Sequence, residues 1–202
     1  PEKVSDQKAG QELTKQAIAT VDQLIQIAPT SEISYVLSSR IYTALSDHPR
    51  ALTALQKAME LDPKNAVIWF EISQVQKQIQ NPEVQKEAKT SLKTAWELQP
   101  DNLFLTLDYL QIVAEQKTKQ AALVFGKVKQ LAGPLADSVK DHTRLDLNKL
   151  IDDSLAAVKE EKWNTVIRNA RILRNVLIAE DLVKSDRRRV EQNPLEFVIH
   201  DF

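Results

Sequence analysis

Four prolines recur at nearly constant spacing along this chain of 202 residues. Pro29, Pro63, Pro100 and Pro134 lie 34, 37 and 34 residues apart. Proline lacks an amide hydrogen and clashes with the preceding turn of a helix, so each of the four should end a helix. Helix stops at a period of 20 to 50 residues indicate a series of helical hairpins, since one period holds two helices and their turns.

The composition favours helices throughout. The chain has only three glycines and no cysteine, and 43% of its residues are hydrophobic. Apolar side chains recur at three- and four-residue steps, and almost nothing before Leu195 has the pattern of a strand. We therefore predict an all-α fold. The lack of cysteine excludes disulfides and thiolate metal sites.

Two stretches carry the same arrangement of small and aromatic side chains. In residues 32–63 the characteristic positions are Tyr35, Ser39, Tyr42, Ala51, Leu55 and Ala58. In residues 66–100 they are Trp69, Ile72, Ser73, Ala88, Leu92 and Ala95. The arrangement resembles the tetratricopeptide repeat (TPR), a 34-residue pair of antiparallel helices, with partial and divergent copies on either side. The resemblance implies a right-handed superhelical solenoid of antiparallel helix hairpins.

Three regions are expected along the chain. A TPR-like repeat region should cover 11–135, and a divergent helical hairpin over 136–192, with its turn at 160–162, should cap the solenoid. The tail, 193–202, is apolar and β-like, and should either pair with a β domain that follows or lie across the solenoid. The chain begins with Pro1 and not with Met, which favours a piece of a longer protein. Its compartment stays open: cytoplasmic, or periplasmic or anchored if a signal was removed.

The sequence lacks the groupings that catalysis requires. His48, His142 and His200 are too far apart to form a helical metal pair, and no glycine-rich phosphate loop or nucleophile elbow is present. The 27 basic and 28 acidic residues give a net charge of -1, so no global field attracts nucleic acid. We expect no enzyme activity, no metal, no cofactor, no nucleic-acid partner and no membrane span.

The resemblance places a partner-binding groove on the first helix of each repeat. The expected groove residues are Ile33, Val36, Arg40, Val67, Phe70, Gln74, Lys77, Phe104, Leu107 and Gln111. Apolar rows edged by amides and an arginine suit an extended or helical peptide. Two alternatives stay open: the chain's own C-terminal helices fill this groove, or the register is off by one residue and these side chains belong to the core. Val36 and Glu71 stand where a carboxylate clamp would need Lys and Asn, so no such clamp is predicted.

A basic stretch near the C-terminus is a second candidate site. Its arginines are Arg168, Arg171, Arg174, Arg187, Arg188 and Arg189. They could meet an acidic partner surface, or they could form an exposed helix face with local ion pairs.

The function expected from these patterns is a non-catalytic scaffold that binds a peptide or helix of a partner protein. The alternatives are an N-terminal accessory domain of a larger protein, whether an enzyme or one with a β domain, and a homodimerisation module that uses the apolar groove or the Trp163 face.

Overall fold

The computed structural model describes the backbone of residues 2–192 and the side chains of residues 11–179. Within that range every element of regular secondary structure is a helix. The helices are α1 (Glu2–Ile27), α2 (Glu32–Ala44), α3 (His48–Leu61), α4 (Ala66–Gln78), α5 (Pro82–Leu98), α6 (Leu103–Glu115), α7 (Gln120–Ala132), α8 (Ala136–Thr143), α9 (Leu147–Lys159) and α10 (Trp163–Gln192), with one 3₁₀ turn at Gly133–Leu135. None of these helices combines the length and the apolar composition needed to cross a bilayer. The predicted β-like tail, 193–202, lies outside the described residues.

The four prolines end helices as predicted. Helices α1, α3, α5 and α7 each end two residues before one of them, and Pro134 falls in the 3₁₀ turn. Polar residues then cap the next helix: the Asn65 side chain accepts a hydrogen bond from the Val67 amide, and Asn102 accepts one from Leu105. The local stop and start signals therefore set the length of each hairpin.

The chain divides into an N-terminal unit, residues 1–99, and a C-terminal unit, residues 100–202. In the N-terminal unit each helix packs on the next, and α2 also contacts α4. The core consists of small and branched side chains between these helices: Val36, Ala51, Leu55, Ala58, Ile68 and Val75. These small residues allow close approach of the helices.

One hydrogen bond recurs in successive repeats at the same position. Tyr35 Oη donates to the Pro29 carbonyl oxygen at 3.0 Å, and Trp69 Nε1 donates to that of Pro63 at 3.0 Å. Thr106 Oγ1, at the corresponding position of the third repeat, shares its hydrogen between the carbonyl oxygens of Pro100 at 3.1 Å and Asn102 at 2.9 Å. Each bond satisfies a carbonyl left without a helical partner, and so ties the first helix of a repeat to the turn before it.

The C-terminal unit is closed. Helix α6 packs on α7, α7 on α9, α9 on α10, and α10 packs back on α6. The side chains between them are fully buried, among them Leu110, Phe125, Ile151, Val166 and Leu173. The sequence placed a boundary near 135, between repeats and cap. That division into repeats and cap stays a prediction. The contacts divide the chain into two units at 99/100, because α10 returns to α6 and joins the third hairpin to the helices after it.

Three hairpin turns share one geometry. Ser46, Lys117 and Glu161 have φ of 59°, 54° and 56°, and in each turn the following amide donates to a carbonyl five residues earlier. The α9–α10 turn at 160–162, predicted from the sequence, is thus the same turn that joins α2 to α3 and α6 to α7. The α4–α5 connection, residues 79–81, differs: Asn81 caps α5, which has 17 residues and is three residues longer than α3.

Replacing Gly126 with alanine should raise the free energy of unfolding by about 0.5–1 kcal/mol. Gly126 is exposed in the middle of α7, and a Cβ there would meet no atom within 4 Å. Urea denaturation measures the change. The matched control is Ala156→Gly on the exposed side of α9, which should shift stability by a similar amount in the opposite direction. Destabilisation by Gly126→Ala would contradict the open surroundings of this position.

Candidate functional site

The candidate site is a surface formed by the neighbouring helices α2 and α4 in the N-terminal unit. We call it the α2–α4 face; its residues are Ile33, Leu37 and Arg40 on α2, and Val67, Phe70, Glu71 and Gln74 on α4. Ile33 is 60% exposed and Val67 is 45% exposed, although both are large apolar residues. Leu37 is also exposed, and Phe70 and Gln74 are half-buried. Exposed apolar side chains grouped with a few polar ones are typical of protein-binding surfaces.

An ion pair joins the two helices across this face. Arg40 Nε and Nη2 both donate to Glu71 Oε1, at 2.8 and 2.5 Å. The Glu71 side chain is only 15% exposed, whereas that of Arg40 is 54% exposed. The carboxylate is therefore enclosed, and the guanidinium keeps donors directed to solvent. The face presents apolar surface beside a guanidinium that is already paired with a carboxylate.

The structure separates the predicted groove residues into two groups. Ile33, Arg40, Val67 and Lys77 are exposed, as a binding surface requires. Val36 and Leu107 are buried in the core, so they offer no side-chain surface to a partner. On α2, the exposed stripe continues from Ile33 through Leu37, which the sequence reasoning missed. Leu37 lies four residues after Ile33 and three residues before Arg40. This spacing places all three residues on one side of α2.

The third-repeat residues belong to the C-terminal unit. Phe104 is exposed at the start of α6, and Gln111 is half-buried. Between them, α6 is covered by α10. The α6 residues that pair with α10, Asp108 and Glu115, are not among the predicted groove residues.

The predicted basic stretch lies on α10. Arg174 Nε donates to Asp108 Oδ1 at 2.6 Å, and Arg171 Nη2 contacts Glu115 Oε1 at 3.5 Å. Arg168 is exposed, and its Nε donates to Asn169 Oδ1 at 3.4 Å. Two of the three described arginines therefore pair with acidic residues of α6. Residues 187–189 lie in the same helix, beyond the described side chains.

Two open depressions lie in the C-terminal unit. One, of about 430 Å³, is lined by Lys117 and by residues 161–165 at the two hairpin turns. The other, of about 300 Å³, runs along α10 past Arg168 and Arg171. Neither lining includes a histidine.

Exposed charge pairs shift the pKa of their own members. The hydrogen bond from Lys57 to Glu60 raises the pKa of Lys57. The bond between Lys162 and Glu160 lowers the pKa of Glu160 and raises that of Lys162. These shifts come from surface pairs and do not indicate an acid–base site. Over the described side chains, no cluster of three His, Asp or Glu residues could hold a metal ion.

Comparison with known proteins gives a similarity of fold. No protein-family model matches the sequence, and no curated protein matches it. The crystal structure of MamA, a TPR-like protein, matches with a TM-score of 0.51 and 13% identity, over 90% of this chain and 96% of that chain. The chain therefore has a TPR-like helical-repeat fold.

Proposed function

We propose that this chain is a non-catalytic scaffold that binds a segment of a partner protein on the α2–α4 face. The observation that carries the proposal is the exposure of Ile33 and Val67 on adjacent helices of a TPR-like fold, beside the half-exposed Arg40. Covering these apolar side chains would stabilise a complex by about 1 kcal/mol each, since each is only partly exposed. The proposed contact surface lies within residues 1–99. The right-handed superhelical arrangement of the repeats stays a prediction.

Val67→Asp should weaken partner binding roughly ten- to hundredfold, which corresponds to about 1.4–2.8 kcal/mol. The change replaces apolar contact with a carboxylate that a bound partner would remove from water. The probe is a set of phage-displayed 16-residue peptides selected on the full chain, whose affinities are then measured for wild type and variant. Val67 is 45% exposed, so the variant should retain the wild-type circular dichroism spectrum and melting temperature.

The matched control is Leu123→Asp. Leu123 is 65% exposed on α7 in the C-terminal unit, and its replacement should leave peptide affinity unchanged. Selected peptides that bind wild type and Val67→Asp equally would overturn the proposal. Concentration-dependent self-association that Val67→Asp abolishes would instead assign the face to a homodimer, the alternative function considered from the sequence.

A further inference from the structure

Helix α1 leaves one largely apolar side uncovered. Among the described residues, α1 packs extensively on α2 alone, through the side that carries the fully buried Val21. On the other side, Leu13 is 66% exposed and Ile27 is 82% exposed, although both are large apolar residues. We call this side the α1 seam; its residues are Leu13, Ala17, Thr20, Leu24 and Ile27, all exposed or half-buried.

In the next two repeats the equivalent side is covered by a helix. Equivalent residues lie 34 apart between α1 and α3 and 37 apart between α3 and α5, as the prolines do. Thr20 is therefore equivalent to Ala54 and Ser91, and both of these are buried. Ser91 Oγ donates to Gln76 Oε1 of α4 at 2.9 Å, so α4 covers this side of α5. Helix α2 packs on α3 in the same way.

The short turn that joins α2 to α3 has no counterpart in α1. That turn contains Ser46 and Asp47, which are equivalent to Glu12 and Leu13. In α1 these two positions lie within one continuous helix of 26 residues. The helix that covers the α1 seam therefore does not join α1 through such a turn, as α2 joins α3.

The α1 seam has the spacing of a coiled-coil interface. Its five residues follow one another at steps of four, three, four and three, the repeat that brings two helices together side by side. Leu24 stands where α3 and α5 have Ala58 and Ala95. Leucine suits the wider separation of such a pair, because only small side chains allow closer approach. Thr20 Oγ1 donates to the Gln16 carbonyl oxygen at 2.9 Å, so this hydroxyl keeps a hydrogen bond inside an apolar interface.

The residues around the seam favour a second copy of this chain as its partner. Gln16 and Gln23 border the seam along one edge, and an amide can both donate and accept a hydrogen bond. Within residues 11–27 the charged side chains are those of Glu12, Lys15 and Asp22, and each lies about 100° or more around the helix from the centre of the seam. Two copies therefore bring apolar and neutral side chains together without opposing like charges.

We propose that this chain forms a homodimer in which the α1 seams of two copies pack on each other as antiparallel helices. The antiparallel direction is the one in which α2 covers α3, and a twofold axis relates the two helices. Leu13 of each copy then faces Leu24 of the other, and the smaller Ala17 and Thr20 lie near the axis. The inference does not rest on the proposed function, because the α2–α4 face is a different surface.

Sedimentation equilibrium of the full chain over roughly 1–100 μM tests the dimer. We expect a monomer–dimer equilibrium in the wild type. Leu13→Asp should weaken the dimer about tenfold or more, because association would remove the new carboxylate from water. Since Leu13 is 66% exposed, the variant should keep the wild-type circular dichroism spectrum. The matched control is Leu123→Asp on α7, at a residue 65% exposed, which should leave self-association unchanged.

Introduced cysteines test the direction of the helices, because the chain has none of its own. A disulfide requires Cα atoms only about 4.4–6.8 Å apart. A mixture of Leu13→Cys and Leu24→Cys chains should therefore form a disulfide-linked dimer under mild oxidation, whereas neither variant should do so alone. A parallel pair would cross-link each variant to itself and would overturn the proposed direction. A mixture that forms no disulfide would also overturn it.

The other outcomes separate this inference from the proposed function. A chain that stays monomeric over the whole concentration range would overturn the dimer and leave the α1 seam to a helix of another protein. Self-association that Leu13→Asp does not weaken would overturn it too, as would self-association that Val67→Asp abolishes. Leu13→Asp should leave the affinity of selected library peptides unchanged, so failure of the dimer would leave the proposed peptide binding intact.

Discussion

Leu173→Ala should lower the free energy of unfolding of the C-terminal unit by about 3 kcal/mol. Leu173 is fully buried on α10, within the ring of helices α6, α7, α9 and α10. Truncation removes three carbon atoms from the core and leaves a cavity that four mutually packed helices cannot collapse to fill. Urea denaturation followed by circular dichroism measures the loss. Amide hydrogen exchange should show faster opening in residues 100–179 than in wild type.

The control for this prediction lies two residues further along the same helix. Asn175 is exposed, so Asn175→Ala should change stability by less than about 0.5 kcal/mol. Both variants change α10: Leu173→Ala alters its buried side, whereas Asn175→Ala alters its exposed side. A loss below about 1 kcal/mol for Leu173→Ala would show that α10 does not close the C-terminal unit.

The helix ends could be predicted from the sequence because their causes are local. A proline stops a helix within two residues, and an asparagine two residues after the proline caps the next one. The α9–α10 turn was predicted for the same reason. The neighbours that decide these features are all within a few positions along the chain.

The closure of the C-terminal unit could not be predicted in this way. Arg174 and Asp108 are 66 residues apart, and the contact between them depends on which apolar sides remain uncovered once every hairpin has formed. In the sequence, arginines at three-residue steps have the same pattern whether they face solvent or the acidic side of another helix. For the same reason, the pattern of residues does not indicate what occupies the predicted groove.

The composition of the binding face depended on helical register. Adjacent residues of a helix point about 100° apart, and this difference separates the buried Val36 from the exposed Leu37.

The repeated bond to the proline carbonyl was hidden for another reason. Thr106 makes it with a hydroxyl, although the first two repeats use the aromatic residues Tyr35 and Trp69. Residue type alone does not reveal an equivalent hydrogen bond.

Arg174→Met should lower the free energy of unfolding by about 2 kcal/mol, and Asp108→Asn by about 1 kcal/mol. The difference follows from exposure: the Asp108 side chain is 12% exposed and the Arg174 side chain is 35% exposed. Without Arg174, an enclosed carboxylate loses its partner. Without the Asp108 charge, the arginine can turn its guanidinium to water, and the asparagine oxygen can still accept a hydrogen bond. Denaturation of both single variants and of the double variant measures each loss.

The free energy of unfolding of the double variant shows whether the ion pair or apolar packing holds α10 on α6. If the pair acts through its charges, the combined loss should fall short of the sum of the single losses by about 1 kcal/mol. Arg171→Met is the matched comparison, because the Arg171–Glu115 pair is longer and exposed on both sides, and it should cost less than about 0.5 kcal/mol. Additive losses, or a greater loss from Asp108→Asn, would mean that apolar packing alone holds α10.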